Sequence, residues 1–291
     1  MKVLVTGATG FVGSRLVESL AGHHDVWAVG RGSAKGAPGV NWVQWDLAAP
    51  PSAGALPAHL DAVLHLAQSR DYRHFPESAL AIARVNVDAT LELLDHARQA
   101  GAKQFVFASS GGVYGGSDVP IKEDASLRPP DFYLSTKVAS ETLANTYRSM
   151  FDVVNLRLFF VYGRGQGPDR FISRLVRRVH AGESVVLYGP EGIRVNPIHV
   201  SDVVRAMAAS LGLDGSHVVN VAGPDVLTLR QLTELIAEKV GRKPNFEERP
   251  QEVNRDLVAD TALMKQLLVP ARELFAERIG EVCEEVMAAP L

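Results

Sequence analysis

Gly7, Gly10 and Gly13 follow the apolar run Val3-Leu4-Val5 at intervals of three, and Val12, Leu16 and Leu20 then recur at helical spacing. Strand, tight turn and helix is the context in which a Gly-x-x-Gly-x-x-Gly carries meaning. Gly7 permits the sharp turn, Gly10 lets a pyrophosphate approach the backbone, and Gly13 lets the helix lie close on the strand. Unpaired N–H groups at the helix start then face the phosphates. The bland alternative is an ordinary βα turn, since the chain has 25 glycines. Placement behind a buried-looking strand favours dinucleotide binding.

The remaining composition mostly excludes. At 291 residues the chain can hold one large domain or a core domain with a smaller lobe. Thirty basic against 33 acidic side chains leave no field for nucleic acid or anionic lipid. The one cysteine, Cys283, rules out an internal disulfide and a cysteine-based zinc cluster, so no metal is expected. It falls in a helical stretch and reads as a packing residue. The first strand begins at Lys2 and no apolar run approaches a membrane span, so a cytoplasmic protein is expected.

Further strands follow in order. Asp25 to Val29 reads as the second, ending at Gly30-Arg31 where an NAD site of this type usually has an acid. Gly30 leaves a space and Arg31 supplies a cation, which suits a 2′-phosphate and favours NADP over NAD. Asn41 to Asp46 alternates as a third strand, and Asp46 could accept from an adenine amino group or cap the next turn. Residues 48–59 read as loop. Asp61 to Ala67 is a continuous apolar run containing His65, expected to be a satisfied core histidine. Ser78 to Gly101 carries the helical period Leu80, Val87, Leu91, Leu94. Gln104 to Ala108 is another buried strand, followed by Ser109-Ser110-Gly111-Gly112-Val113-Tyr114-Gly115. Strand and helix alternate steadily, which predicts an α/β, doubly wound parallel sheet.

A helix is expected to start near Asp131, a good N-cap. Tyr133 and Lys137 lie four apart on it and share a face. A lysine ammonium there would favour the phenolate and fit the phenol for proton transfer. Tyr-x-x-x-Lys alone is weak, because an exposed helix face produces it too. Its place after the glycine turn and a Ser-Ser at a strand end raises it.

With these residues in view, the chain resembles the extended short-chain dehydrogenase/reductases, the group of nucleotide-sugar epimerases, dehydratases and reductases with a Rossmann-type sheet. The matching segments are Thr6–Gly13, Val63–Ala67, Asn86-Val87, Phe105–Gly115, Tyr133–Lys137, Leu156–Gly163, Ile198–Asp202 and Asn220–Gly223. The resemblance implies that Ser110, Tyr133 and Lys137 form the catalytic set. It implies that Gly7, Thr9, Gly10, Phe11, Val12 and Gly13 hold the pyrophosphate, with Arg31, Asp46 and Leu47 at the adenosine end. Leu66, Ala67, Gln68, Asn86, Ala108, Ser109, Phe159 and Val161 would line the rest of the cofactor. Ser110, Gly111, Phe160, Arg170, Arg194, Asn196 and Arg255 would face the sugar nucleotide.

Departures narrow what is implied. Gly111 and Gly112 stand where 4,6-dehydratases carry an Asp-Glu pair, so no acid and base stand ready to eliminate water. The glycines are expected to leave room around the sugar. Phe160 stands where many relatives have Asn. Arg174, Arg177 and Arg178 read equally well as a solvated helix face, and His199 as structural. Residues 1–162 with about 198–222 are expected to form the dinucleotide-binding domain, and 163–197 with 223–291 a smaller C-terminal substrate lobe. Val185 to Gly189 reads as a short strand, and Thr228 to Val240 and Phe275 to Met287 as amphipathic helices. Relatives commonly dimerise through the helices beginning near Ser78 and Asp131, so a homodimer is expected. The implied activity is hydride transfer at C4 of a nucleotide-activated sugar, with a 4-ketoreductase using NADPH ahead of a 4-epimerase with bound NAD. A non-catalytic NADP-binding sensor or scaffold on the same fold is the reading from another class.

Overall fold

The computed structural model describes residues 1–32, 38–52, 54–250 and 255–288. The chain opens with β1 (Lys2–Thr6), α1 (Phe11–Leu20), β2 (Asp25–Gly30), β3 (Val40–Gln44) and β4 (Ala62–His65). Then come α2 (Ala79–Ala83), α3 (Ala89–Gln99), β5 (Gln104–Ser110), α4 (Phe132–Thr146), β6 (Asp152–Leu158) and α5 (Phe171–His180). The remainder comprises β7 (Val185–Tyr188), β8 (Arg194–Val195), α6 (Val200–Ser210), β9 (His217–Val221), β10 (Leu227–Thr228) and α7 (Leu229–Val240). It closes with β11 (Phe246–Arg249), α8 (Ala262–Leu267) and α9 (Phe275–Ala288). The predicted loop at 48–59 has no helix or strand among its described residues; Ala53 lies outside them.

Seven strands form one sheet in the order β3-β2-β1-β4-β5-β6-β9, the Rossmann arrangement, and the pairings from β3 across to β5 are parallel. Strand order reverses between β1 and β4, the switch point where such sheets open a crevice at the carboxyl ends. Val3, Leu4 and Val5 and the whole of β4 are buried, as strands covered on both faces must be. Leu4, Val63, Phe105 and Val153 pack against Leu93, Leu94 and Ala97 of α3 and Ala144 of α4. Each large side chain removed from water there contributes about 1.5–3 kcal/mol.

The helix expected over Ser78 to Gly101 is instead three pieces. Between α2 and α3, Arg84–Asp88 forms a π-helical turn. A π turn takes up an extra residue and rotates everything beyond it. The buried set is therefore Ile82, Asn86, Ala89, Thr90, Leu93, Leu94, Ala97 and Ala100. Leu80 and Leu91, expected on the core side, are 88% and 43% exposed.

The chain divides into two compact units. The first comprises Met1–Val113, Leu127–Arg157 and Val204–Val219, the second Tyr114–Ser126, Leu158–Val203 and Asn220–Leu291. In the second, β7 pairs in parallel with β11 and β8 antiparallel with β10. Its core gathers Tyr162, Ile172, Leu187, Val195, Leu232, Ile236, Phe275 and Ile279. Thr228 starts α7 with a reciprocal capping box to Gln231, and Gly241 ends it in the left-handed conformation at φ 65°.

Candidate active site

The glycine turn after β1 is built as its spacing predicts. Gly7 has φ 70°, and a Cβ there would sit 2.9 Å from the Ala67 backbone nitrogen. A Cβ on Gly13 would fall 2.1 Å from the Gly7 carbonyl oxygen, so only glycine lets α1 approach this closely. Gly10 N-caps α1 and no side chain caps the helix. The first-turn N–H groups are thus left for a ligand, and an anion is what such groups attract. A pyrophosphate fits this cradle, whose walls are backbone.

At the adenosine end the structure corrects one expectation. The space beside Gly30 is taken, because a Cβ there would meet the Thr9 side-chain methyl at 3.0 Å. No 2′-phosphate pocket follows from Gly30, although Arg31 itself is exposed. Asp46 is exposed and accepts from the Ala48 N–H at 3.1 Å, capping its turn, while Leu47 beside it is buried.

Beyond β4 and β5 the polar groups form one connected set. Asp131 accepts from the Leu134 N–H at 2.8 Å and so starts α4 where expected. Tyr133, one residue into that helix, donates from Oη to Gln68 Oε1 at 2.6 Å. Its ring centroid lies 5.0 Å from that of Tyr72. Lys137 is 2% exposed, and its Nζ donates to the Ala108 carbonyl at 2.8 Å. The same ammonium stands 4.8 Å from the Phe107 ring centroid and 5.8 Å from that of Tyr133. Tyr133 and Lys137 thus share a face of α4, with the lysine held over the end of β5. Ser110, at the last position of β5, accepts from the Gly112 N–H at 3.2 Å.

His65 is the core histidine the run suggested. It is buried, with Nδ1 2.6 Å from Thr6 Oγ1 and Nε2 2.9 Å from Thr90 Oγ1. Burial, and then the nearby Lys137 charge, lower its pKa to about 3, so the ring stays neutral. Asn86, expected to line the cofactor, sits in the π turn with both the oxygen and the nitrogen of its amide bonded within the protein. It accepts from the Ser69 N–H at 2.8 Å and donates to Thr136 Oγ1 at 2.9 Å. That ties the loop after β4 to α4. Leu66, Ala67 and Gln68 on this loop are half-buried. The room expected at the Gly111-Gly112 pair is also absent at its second member. A Cβ on Gly112 would meet both Leu134 methyls at 3.0 Å.

In the second unit, Phe160 has φ 42° and packs its ring 5.1 Å from Phe171. A non-glycine residue there is strained, and Asn tolerates that region better than Phe. Phe159 is buried, and the Val161 carbonyl accepts from Gln166 Nε2. Arg194 pairs with Asp256 at 2.7 Å, and Arg170 stands at the N-cap of α5. Arg255, Arg174, Arg177 and Arg178 are exposed. Asn196 was expected on the substrate side. The correction is that it is buried, with its amide donating to the Ala259 carbonyl and accepting from the Ala259 N–H, both at 3.0 Å. His199 is buried between Ser201 at 2.8 Å and Glu281 at 2.5 Å.

Two polar residues of the first unit, Glu141 and Arg157, carried no sequence signal that was used. Ser109, expected to line the cofactor, is buried and donates to Glu141, which also holds Arg157. A glutamate one turn beyond Lys137, and an arginine inside the apolar strand Val153 to Leu158, were the available clues.

Comparison with known proteins gives a consistent likeness. Residues 3–222 match the NAD dependent epimerase/dehydratase family. The chain is 29% identical to the UDP-glucose 4-epimerase of Mycolicibacterium smegmatis, covering 98% of each chain. It is 30% identical to the dTDP-glucose 4,6-dehydratase of Streptomyces griseus, covering 94% of this chain and 90% of that one. The structure matches that of MoeE5 in complex with UDP-glucuronic acid and NAD, with a TM-score of 0.84, 34% identity and 99% of each chain covered.

Proposed function

The chain belongs to the NAD-dependent epimerase/dehydratase family, and on that premise we propose that it inverts C4 of a nucleoside-diphosphate sugar while retaining NAD. The observation that carries the reading is the pairing of Tyr133 and Lys137 on one face of α4, held over the end of β5 that bears Ser110. The sugar is a UDP-hexose or UDP-hexuronate, the ligands named for two of the three relatives above, the third being named for dTDP-glucose.

NAD, when bound, supplies the hydride acceptor and donor. The chain's own residues hold it and handle the proton. Gly7, Thr9, Gly10, Phe11, Val12 and Gly13 cradle the pyrophosphate, and Asp46 and Leu47 serve the adenine end. Ser110 hydrogen-bonds the sugar's C4 oxygen. Tyr133 takes the C4 hydroxyl proton as the alcohol becomes a ketone and returns it once hydride is delivered to the opposite face. The Lys137 ammonium favours the anionic form of the phenol, the form that accepts the proton and is regenerated when the proton is returned. Arg170, Arg194 and Arg255 are the candidates for the substrate diphosphate, through paired N–H donors.

Two finer expectations shift. Nothing in the likenesses supports NADP, and the filled space beside Gly30 removes half of its rationale. The 4-ketoreductase preference rested on Arg31 and the missing acid of the second strand and gains no support from the likenesses, which are consistent with the epimerase proposed here. Dehydration is disfavoured because Gly111 and Gly112 supply no acid or base. We further propose a homodimer through α2, α3 and α4. Leu80 and Leu91 face solvent, and Phe75, 54% exposed, stacks on Phe132 at 4.8 Å.

Cofactor stoichiometry tests the activity. Offered UDP-glucose or UDP-glucuronic acid without added cofactor, the purified protein should form the C4 epimer with no net NADH. One-for-one consumption of NADPH with a 4-keto sugar would make it a reductase. Binding without any turnover would make it a sensor.

A further inference from the structure

Two charges are buried behind the reacting side chains. Arg157 of β6 and Glu141 of α4 are 6% and 3% exposed. Arg157 Nη2 donates to Glu141 Oε2 at 2.6 Å and Nε donates to Oε1 at 3.1 Å, so the guanidinium grips the carboxylate with two bonds. Ser109 Oγ donates to the same Oε1. Stability alone is a poor reason for such a pair, because well-packed apolar side chains in its place often serve as well or better.

Its location offers another reason. Glu141 stands one helical turn beyond Lys137, as Lys137 stands one turn beyond Tyr133. Ser109 lies between Ala108, whose carbonyl accepts from Lys137, and Ser110. Two successive residues of β5 therefore hold two successive turns of α4, and Arg157 holds the farther turn from β6. Any slide or rotation of α4 must break bonds to both strands.

We propose that Glu141 and Arg157 are positioning residues that fix the register of α4 against β5 and so set the reach among Ser110, Tyr133 and Lys137. The proposal rests on the reading that Tyr133 and Lys137 carry the chemistry. Neither proposed residue touches substrate. Their effect passes through the helix, and it requires the planar fork of arginine, which lysine cannot reproduce.

The test compares Glu141→Gln, the double variant Glu141→Leu/Arg157→Met, and Arg157→Lys, each as NAD-loaded enzyme. Glu141→Gln leaves a buried charge unpaired and should lower the melting temperature, which the apolar double variant should recover. The double variant should nevertheless show kcat about ten- to a hundredfold lower, with KM for the sugar nucleotide within about twofold. Its pH–rate profile should also move, because the Tyr133–Lys137–Ser110 spacing has relaxed. A double variant with parental kcat and pH profile would overturn the proposal, since a purely structural pair would be fully replaced. Should the double variant not fold, Arg157→Lys carries the decision. It keeps the charge without the fork, and its folded fraction should show the same kcat loss. Parental kcat in that variant would again overturn the idea. Failure of the underlying reading is separate, because Tyr133→Phe would then turn over at the parental rate.

Discussion

Each unit of the molecule holds several arginine–carboxylate pairs, and two of them, one from each unit, are nearly equal in length. Arg157–Glu141 in the first unit closes at 2.6 Å and Arg194–Asp256 in the second at 2.7 Å. Their surroundings differ completely. The first pair is 6% and 3% exposed, the second 51% and 19%. Inside the protein, a charge that loses its partner cannot be rehydrated. At the surface, water takes the partner's place at little cost. Arg157 is therefore fixed on Glu141, whereas Arg194 stands where solvent reaches it. On the proposed function this is a sensible division: proton transfer needs fixed distances, and diphosphate recognition needs a cation open to solvent.

Removing one partner from each pair sharpens that contrast. Glu141→Gln should cost about 3–5 kcal/mol by denaturant unfolding, because Arg157 stays buried and unpaired. A loss under 1 kcal/mol would mean that water reaches the site and that the interior is less closed than the structure shows. Phe160→Asn is expected to be nearly neutral for stability. Backbone strain of about 1–3 kcal/mol is relieved, while a ring contact worth about 0.5–1.5 kcal/mol is lost. The change should appear instead in which sugar nucleotide is turned over, measured by competing two substrates. Arg194→Ala should cost only about 0.2–1 kcal/mol, and less at high salt. Its larger effect should be a raised KM for the sugar nucleotide.

The second unit has its own pH dependence. Burial works against the Glu281 carboxylate, but the hydrogen bond and charge of His199, with Arg278, hold its pKa below the ordinary value. A depressed folded-state value means that the stabilisation is present above the unfolded pKa and is lost as pH falls through the folded one. Acid titration of stability should therefore show a loss that Glu281→Gln flattens. Cys283 should be silent throughout. Burial pushes its thiol up to about 11, so a disulfide reagent at neutral pH should find one reactive thiol only after unfolding.

What was readable in advance follows a physical line. The glycine turn, the Asp131 cap and the helix from Leu229 are local features, set by residues a few positions apart, and the structure has each of them. The π turn at Arg84–Asp88 was hidden because one extra residue leaves the apolar content unchanged while turning Leu80 and Leu91 outward. The filled spaces at Gly30 and Gly112 were hidden because Thr9 and Leu134 arrive from other segments. Asn196 carried a family expectation, yet its partner is the distant Ala259 backbone. Glu141 and Arg157 drew no reading from the sequence, because most such residues are surface charges. Only the burial of their own elements shows otherwise.

The central claim is that Tyr133 moves the proton at C4 of the bound sugar. It is tested most directly by Tyr133→Phe in NAD-loaded enzyme, with sugar-nucleotide binding measured by calorimetry beside the epimerisation rate. Binding should be preserved while the rate falls by about 10²–10⁴-fold. A phenylalanine variant that epimerises within twofold of the parent would contradict the account.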